Sequence, residues 1–157
     1  MPGKIFEELQ QTKPFRFIEE AFLNIHRTAH MLMQELAQIL KPFGVSETQY
    51  NVLRILRGAG ARGLNCKDIG NRMITREPDI TRLLDRLQKR SLIQRSRSRE
   101  DRRFAFVVIT GQGLAMLSDL DEPVQQLQVK LLGHLGQASL GELIQSLETV
   151  RRTLESN

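Results

Sequence analysis

The sequence has one cysteine, Cys66, and no apolar run that approaches a membrane span. A lone cysteine cannot close an internal disulfide or build a cysteine-rich zinc site. The longest apolar stretches, such as Phe104 to Ile109, fall far short of the roughly 20 residues that cross a bilayer, so no membrane partner is expected. Glu7 and Glu8 stand where a secretory signal needs an uninterrupted apolar segment, and the expectation is a cytoplasmic protein. Signatures of catalysis are missing too: there is no phosphate-binding lysine loop, no HExxH pair and no nucleophile elbow. Gly111-Gln112-Gly113 has Met116 where a dinucleotide fingerprint needs its third glycine, so it reads as a helix-start turn. His26 and His30 share a helical face at a spacing that can hold zinc, but no third ligand lies near in sequence. No catalytic residue, metal site or cofactor is expected.

What is present suits one domain of ordinary size: 157 residues, 40% hydrophobic and 26% charged. A formal charge of +5 permits several anionic partners. Its distribution is more informative. Residues 82 to 103 hold nine bases (Arg82, Arg86, Lys89, Arg90, Arg95, Arg97, Arg99, Arg102 and Arg103) against Asp85, Glu100 and Asp101, a net of +6 that leaves −1 for the rest. Arginine outnumbers lysine there eight to one. Arginine suits phosphate and base edges because its planar fork donates bidentately. Confinement of the charge to one segment is the footprint expected for a polyanion.

Between Phe15 and Ile39 the apolar residues alternate steps of three and four, the seam of a long helix packing lengthwise on another. Pro14 suits its first turn, and Pro42 with Gly44 ends it. The C-terminal segment repeats the pattern through Leu140, Leu143, Leu147, Val150 and Leu154, behind an expected capping box of Ser139 and Glu142. Two such seams exceed what a small middle segment covers, so an intermolecular helical interface, a homodimer, is expected. Phe15, Ile18, Phe22, Leu143, Leu147 and Val150 are its expected contacts. The alternative is closure of both seams on one monomer's core.

The middle is organised differently. Ser46 and Gln49 form a capping box for a helix that buries Tyr50, Leu53 and Leu56 and stops at Gly58-Ala59-Gly60. Asn65 caps a short helix to about Met73. After a turn at Ile74 to Pro78, a third helix points Ile80, Leu83, Leu84 and Leu87 inward. Two helices joined by a short turn are the helix-turn-helix arrangement. Beyond Ser91 the period changes to alternation, and Ile93–Arg97 and Phe104–Ile109 flank a charged turn as a two-stranded hairpin. Thr110 then caps a helix that Pro123 is expected to kink or interrupt.

Asp79, Thr81 and Arg82 lie in the first turns of the third helix, the part of a recognition helix that meets base edges in the major groove. Arg86, one turn on, is placed for phosphate. The hairpin tip, with Arg99, Asp101, Arg102 and Arg103, is too charged to pack inward. An arginine there can enter a narrow minor groove, and Asp101 would brace Arg103.

Taken together, Gln49-Tyr50-Asn51-Val52-Leu53, Thr81-Arg82-Leu83-Leu84-Asp85-Arg86-Leu87 with Lys89-Arg90, and Asp101-Arg102-Arg103 leading to Ile109-Thr110-Gly111-Gln112-Gly113 resemble the MarR-type winged helix-turn-helix transcription regulators. The resemblance covers about residues 46 to 117. It implies a mainly α (α+β) fold: a dimerisation helix over 1–45, a winged helix-turn-helix domain with a small antiparallel hairpin over 46–117, and dimerisation helices over 118–157. It also implies a homodimer on a pseudo-palindromic double-stranded DNA operator, with Thr81-Arg82 in the major groove and Arg103, braced by Asp101, in the minor groove. Release by a small-molecule effector is implied as well, from a pocket between dimerisation helices and winged helix that would include His30. Ser91 departs from the pattern, since the family usually has glycine there. The competing readings are a winged-helix protein-interaction module without specific DNA binding, and a regulator that senses oxidants through Cys66.

Overall fold

In a computed structural model the described residues are 3–13, 15–97 and 105–155. The chain divides into two compact units, Met1–Leu117 and Ser118–Asn157. The architecture is mainly helical with one two-stranded antiparallel sheet. Among the described residues no helix is long and apolar enough to cross a membrane.

The first unit opens with a short helix, α1 (Lys4–Glu8), which the sequence pattern did not reveal. It buries Ile5 and places Phe6 edge-on to Phe15, with ring centroids 6.2 Å apart at 78°. Phe15 therefore differs from its expected place on the helical seam: the long helix α2 (Phe17–Leu40) begins two residues later, and the Phe15 ring is taken up by Phe6 of the same chain. Pro14 lies outside the described residues. A 3-10 turn over Lys41–Phe43 ends α2, and Gly44, at φ 65°, turns the chain away.

The next three helices form where their caps are written. Ser46 accepts from the Gln49 amide at 3.2 Å while the Gln49 side chain accepts from the Ser46 amide at 3.0 Å, starting α3 (Glu47–Ala59). The Asn65 side-chain oxygen Oδ1 accepts from the Asp68 amide at 2.8 Å and starts α4 (Cys66–Arg72). Asp79 accepts from the Arg82 amide at 3.0 Å and starts α5 (Ile80–Lys89). Apolar stripes on α3 (Val52, Leu53, Leu56) and α5 (Leu83, Leu84, Leu87) are buried together with Ile69 of α4. Each such side chain contributes roughly 1.5–3 kcal/mol when removed from water. Ile80 stays half-buried at the edge of this core.

Strands β1 (Ile93–Arg97) and β2 (Ala105–Ile109) pair antiparallel from Ile93 opposite Ile109 to Arg97 opposite Ala105. Leu64 adds a bridge to Val107, with reciprocal amide bonds of 3.0 and 2.8 Å. The approach depends on Gly63, at φ 64°, where a Cβ would stand 2.6 Å from the Val107 carbonyl oxygen.

Thr110 caps α6 (Gly111–Leu132), accepting from the Gly113 amide at 3.1 Å. Of the two outcomes expected at Pro123, a kink or an interruption, the interruption does not occur: Pro123 lies inside a helix that runs on past it. Proline forfeits one backbone bond, yet Leu117, Leu120 and Val124 are buried at i, i+3 and i+7 across it, and their burial outweighs that loss. The last helix, α7 (Gly136–Glu155), also begins earlier than expected, so Ser139 lies inside it and is not its N-cap. Gly136, at φ 72°, makes the turn, and Gln137 and Ala138 are good helix formers that carry the helix upstream of Ser139.

Candidate nucleic-acid interface

The buried stripe of α5 fixes how the helix is rotated, and this decides which side chains face out. Thr81, Arg82, Arg86 and Lys89 are exposed. Arg82, Arg86 and Lys89 fall at i, i+4 and i+7, which makes them one basic row along the helix. Like charges at this spacing repel by a few tenths of a kcal/mol, and a polyanion laid along the row relieves that repulsion. Asp79, expected among the base-reading residues, uses its carboxylate to cap the helix at the Arg82 amide. That contact starts α5 and sets the position of Arg82.

Asp85 is half-buried and points toward the hairpin. The Arg95 guanidinium on β1 donates to Asp85 Oδ1 at 2.6 Å and to the Thr81 carbonyl at 3.3 Å. Arg90, at the C-terminal end of α5, donates to the carbonyls of Phe43 and Gly44. Among the described residues, two of the nine bases counted in residues 82 to 103 are therefore engaged within the chain, while Arg82, Arg86 and Lys89 stay exposed. Sequence reasoning missed both contacts. For Arg95 a signal existed: strand alternation puts it on the same face as buried Ile93, where a charge needs a partner.

The hairpin tip residues Arg99, Asp101, Arg102 and Arg103 lie outside the described residues, and so does the expected Asp101–Arg103 brace.

At its C-terminus α5 closes through Ser91, at φ 57°. The Ser91 amide donates to Gln88 at 2.9 Å and the Leu92 amide to Leu87 at 3.1 Å, a Schellman closure with serine in the left-handed position. The Thr110 hydroxyl donates to the Ser91 carbonyl at 2.6 Å, joining the helix end to the start of α6.

On the other side of α3, a cavity of about 170 Å³ is walled by Leu32, Met33 and Leu36 of α2, by Tyr50 and Arg54 of α3, and by Ile74 and Thr75. Its lining is mostly apolar, with Glu47, Asn51 and Arg54 supplying polar groups. Arg54 stacks its guanidinium 5.8 Å from the Tyr50 ring centroid. Asn51 accepts from the Ile74 amide at 2.9 Å, tying the turn before α5 to α3. His30, the expected wall, does not line this cavity: it is exposed on α2, because helical phase gives the cavity side to Leu32, Met33 and Leu36. Cys66 is half-buried as the first residue of α4. Among the described residues no group of three or more His, Cys, Asp or Glu is placed to hold a metal ion.

Of the expected seam residues, Ile18 is 84% exposed, Phe22 67%, Val150 49% and Leu143 40%. Leu147 is half-buried.

A capped helix carrying an exposed basic row, preceded by a short helix and followed by a two-stranded hairpin, defines a winged helix-turn-helix DNA-binding protein. A family model described as MarR family matches residues 45–104. The chain is 39% identical to a MarR transcription factor from Planctomyces limnophilus, over 87% of this chain and 99% of that one, with a TM-score of 0.66. It is 25% identical over 128 residues to the HTH-type transcriptional regulator FarR of Neisseria gonorrhoeae, 80% of this chain and 86% of the relative. S. aureus MepR, solved as a DNA complex, shares the fold at 22% identity and a TM-score of 0.72, over 91% of this chain and 99% of that one. The chain belongs to the MarR family, whose members are DNA-binding transcription regulators and not enzymes.

Proposed function

We propose that this chain is the subunit of a homodimeric cytoplasmic repressor that binds a pseudo-palindromic operator and leaves it when a small molecule binds. The observation that carries this reading is the exposed row of Arg82, Arg86 and Lys89 on a helix whose opposite side is core. Thr81 and Arg82 read base edges in the major groove. Arg86 holds phosphate. Arg99, Arg102 and Arg103, with Asp101 as brace, form the minor-groove contact of the wing. Residues 1–45 and 118–157 supply the dimer contacts, which accounts for the exposure of Ile18, Phe22, Leu143 and Val150. Residues 46–117 form the DNA-binding domain.

Selection of bound sites from random duplexes, at stated salt, tests the reading. Inverted half-sites about one helical turn apart are expected. A pool without enrichment supports a protein-interaction module instead. Raised transcription from the selected site when the protein is absent distinguishes repression from activation.

The cavity beside α3 is the proposed effector site. Its apolar walls fit a small hydrophobic ligand, and Arg54 suits an acidic group on it. Met33→Trp should fill the cavity, leaving operator binding intact and abolishing release by ligand. Release that survives this substitution places the effector elsewhere.

A further inference from the structure

Arg90 sits where two helix ends meet. Helix α5 closes at Arg90 itself, and α2 closes in the 3-10 turn Lys41–Phe43 before Gly44. Gly44 is left-handed, at φ 65°, and the turn presents the Phe43 and Gly44 carbonyls to the same guanidinium. Nη2 donates to Phe43 at 2.8 Å and Nη1 donates to Gly44. A Cβ on Gly44 would stand 3.5 Å from the nearer guanidinium nitrogen, so the group lies against the glycine backbone. Helix C-termini are carbonyl-rich and negative, and the Arg90 guanidinium compensates the end of α2 through the Phe43 and Gly44 carbonyls. A planar fork also fixes orientation, which a point charge does not.

Apolar packing holds α5 in the core but tolerates small sliding, whereas a two-pronged charge-assisted contact sets position. The partners of this contact are 46 and 47 residues away in sequence, at the end of the helix expected to form the dimer. Arg95, by contrast, ties α5 to the hairpin.

We propose that Arg90 is a positioning residue that sets the half-site spacing the protein accepts. It holds each recognition helix to the end of its own α2, so the dimer geometry of α2 fixes the separation of the two α5 helices. This rests on the dimeric, operator-binding reading above. Arg90 touches no base in this account, and specificity reaches the DNA through the distance between two readers.

The test uses full-length protein with Arg90→Lys and Arg90→Met, each checked for dimer formation and thermal unfolding. Fluorescence anisotropy compares the selected operator with duplexes carrying one base pair more or fewer at the centre. Each such change displaces the half-sites by about 3.4 Å and rotates them by about 35°. Wild type is expected to disfavour altered spacing by roughly 10- to 100-fold, the scale of a mismatched base pair. Both variants should reduce that ratio to about threefold or less while their salt slope stays at the wild-type value. Lysine retains the charge, so its failure to restore discrimination assigns the effect to the fork. If the methionine protein does not fold, the lysine protein decides. Unchanged discrimination, or equal loss on all three duplexes, overturns the proposal. A salt slope smaller by about one overturns it in favour of a phosphate contact. Wild type without spacing preference contradicts the dimeric reading itself, and this role with it.

Discussion

The Arg95 guanidinium on the first hairpin strand meets the Asp85 carboxylate on the recognition helix at 2.6 Å, and its other terminal nitrogen reaches the Thr81 carbonyl at 3.3 Å. One side chain thus joins the two elements that the DNA-binding reading assigns to different grooves. The side chains of Arg95 and Asp85 are 28% and 47% exposed, so solvent screens the pair. A double-mutant cycle of Asp85→Asn and Arg95→Ala in urea unfolding should give a coupling of about 0.2–1 kcal/mol. Operator affinity should fall by more than this coupling, because hairpin and helix must be placed together. Affinity that follows stability alone would confine the pair to folding.

Ser91 occupies a left-handed position at φ 57°. A side chain there costs roughly 1–2 kcal/mol, while glycine adds about 0.5–1 kcal/mol of unfolded-state entropy. Ser91→Gly should therefore stabilise the protein by about 0.5–1 kcal/mol, or a rise in Tm of roughly 1–4 °C for a chain of this size. Thr110 donates to the Ser91 backbone carbonyl, a contact that the substitution leaves in place. A lower Tm would mean that the serine side chain has a favourable role.

Arg82, Arg86 and Arg103 should separate by the kind of loss they cause. Arg82→Ala and Arg103→Ala should each weaken operator binding by about 1–3 kcal/mol and relax the sequence preference at the positions they read. Arg86→Ala should weaken binding to operator and scrambled DNA alike and reduce the salt slope by about one. Gel-shift titrations on both duplexes distinguish these patterns. Unchanged affinity for Arg103→Ala would remove the hairpin tip from the account.

Phe22 is 67% exposed on α2, and Val150 is 49% exposed on α7. Phe22→Asp should shift the protein from dimer to monomer in sedimentation velocity and abolish tight operator binding. A charge buried at an interface without a partner costs several kcal/mol. A wild-type protein that sediments as a monomer would contradict the dimer directly.

The parts of the fold legible in the sequence are those fixed by neighbours along the chain. The Ser46–Gln49 box, the Asn65 cap and the stripe of Leu83, Leu84 and Leu87 each lie within one or two helical turns. The hairpin strands were legible from alternation, and their register follows from Ile93 opposite Ile109. What failed was decided by competition between local rules or by distant partners. Pro123 signals a kink or an interruption, and with buried residues on both sides of it α6 runs on without interruption. Ser139 signals a cap, but Gly136 starts the helix earlier. Phe15 fits the α2 seam by spacing and packs against Phe6. In the site, Arg82 and Arg86 were legible because their outward position follows from the buried stripe. Arg90 was not, since its partners, Phe43 and Gly44, lie at the end of another helix.

The central claim is that the basic row of α5 meets DNA phosphates while its first turn reads sequence. Operator affinity measured by anisotropy across a salt series tests it most directly, with a scrambled duplex alongside. Log affinity should fall linearly with log salt, with a slope of about 0.9 per phosphate neutralised. The operator should be preferred over scrambled DNA by at least about 10³-fold at physiological salt. A flat salt dependence, or equal affinity for the two duplexes, would contradict it.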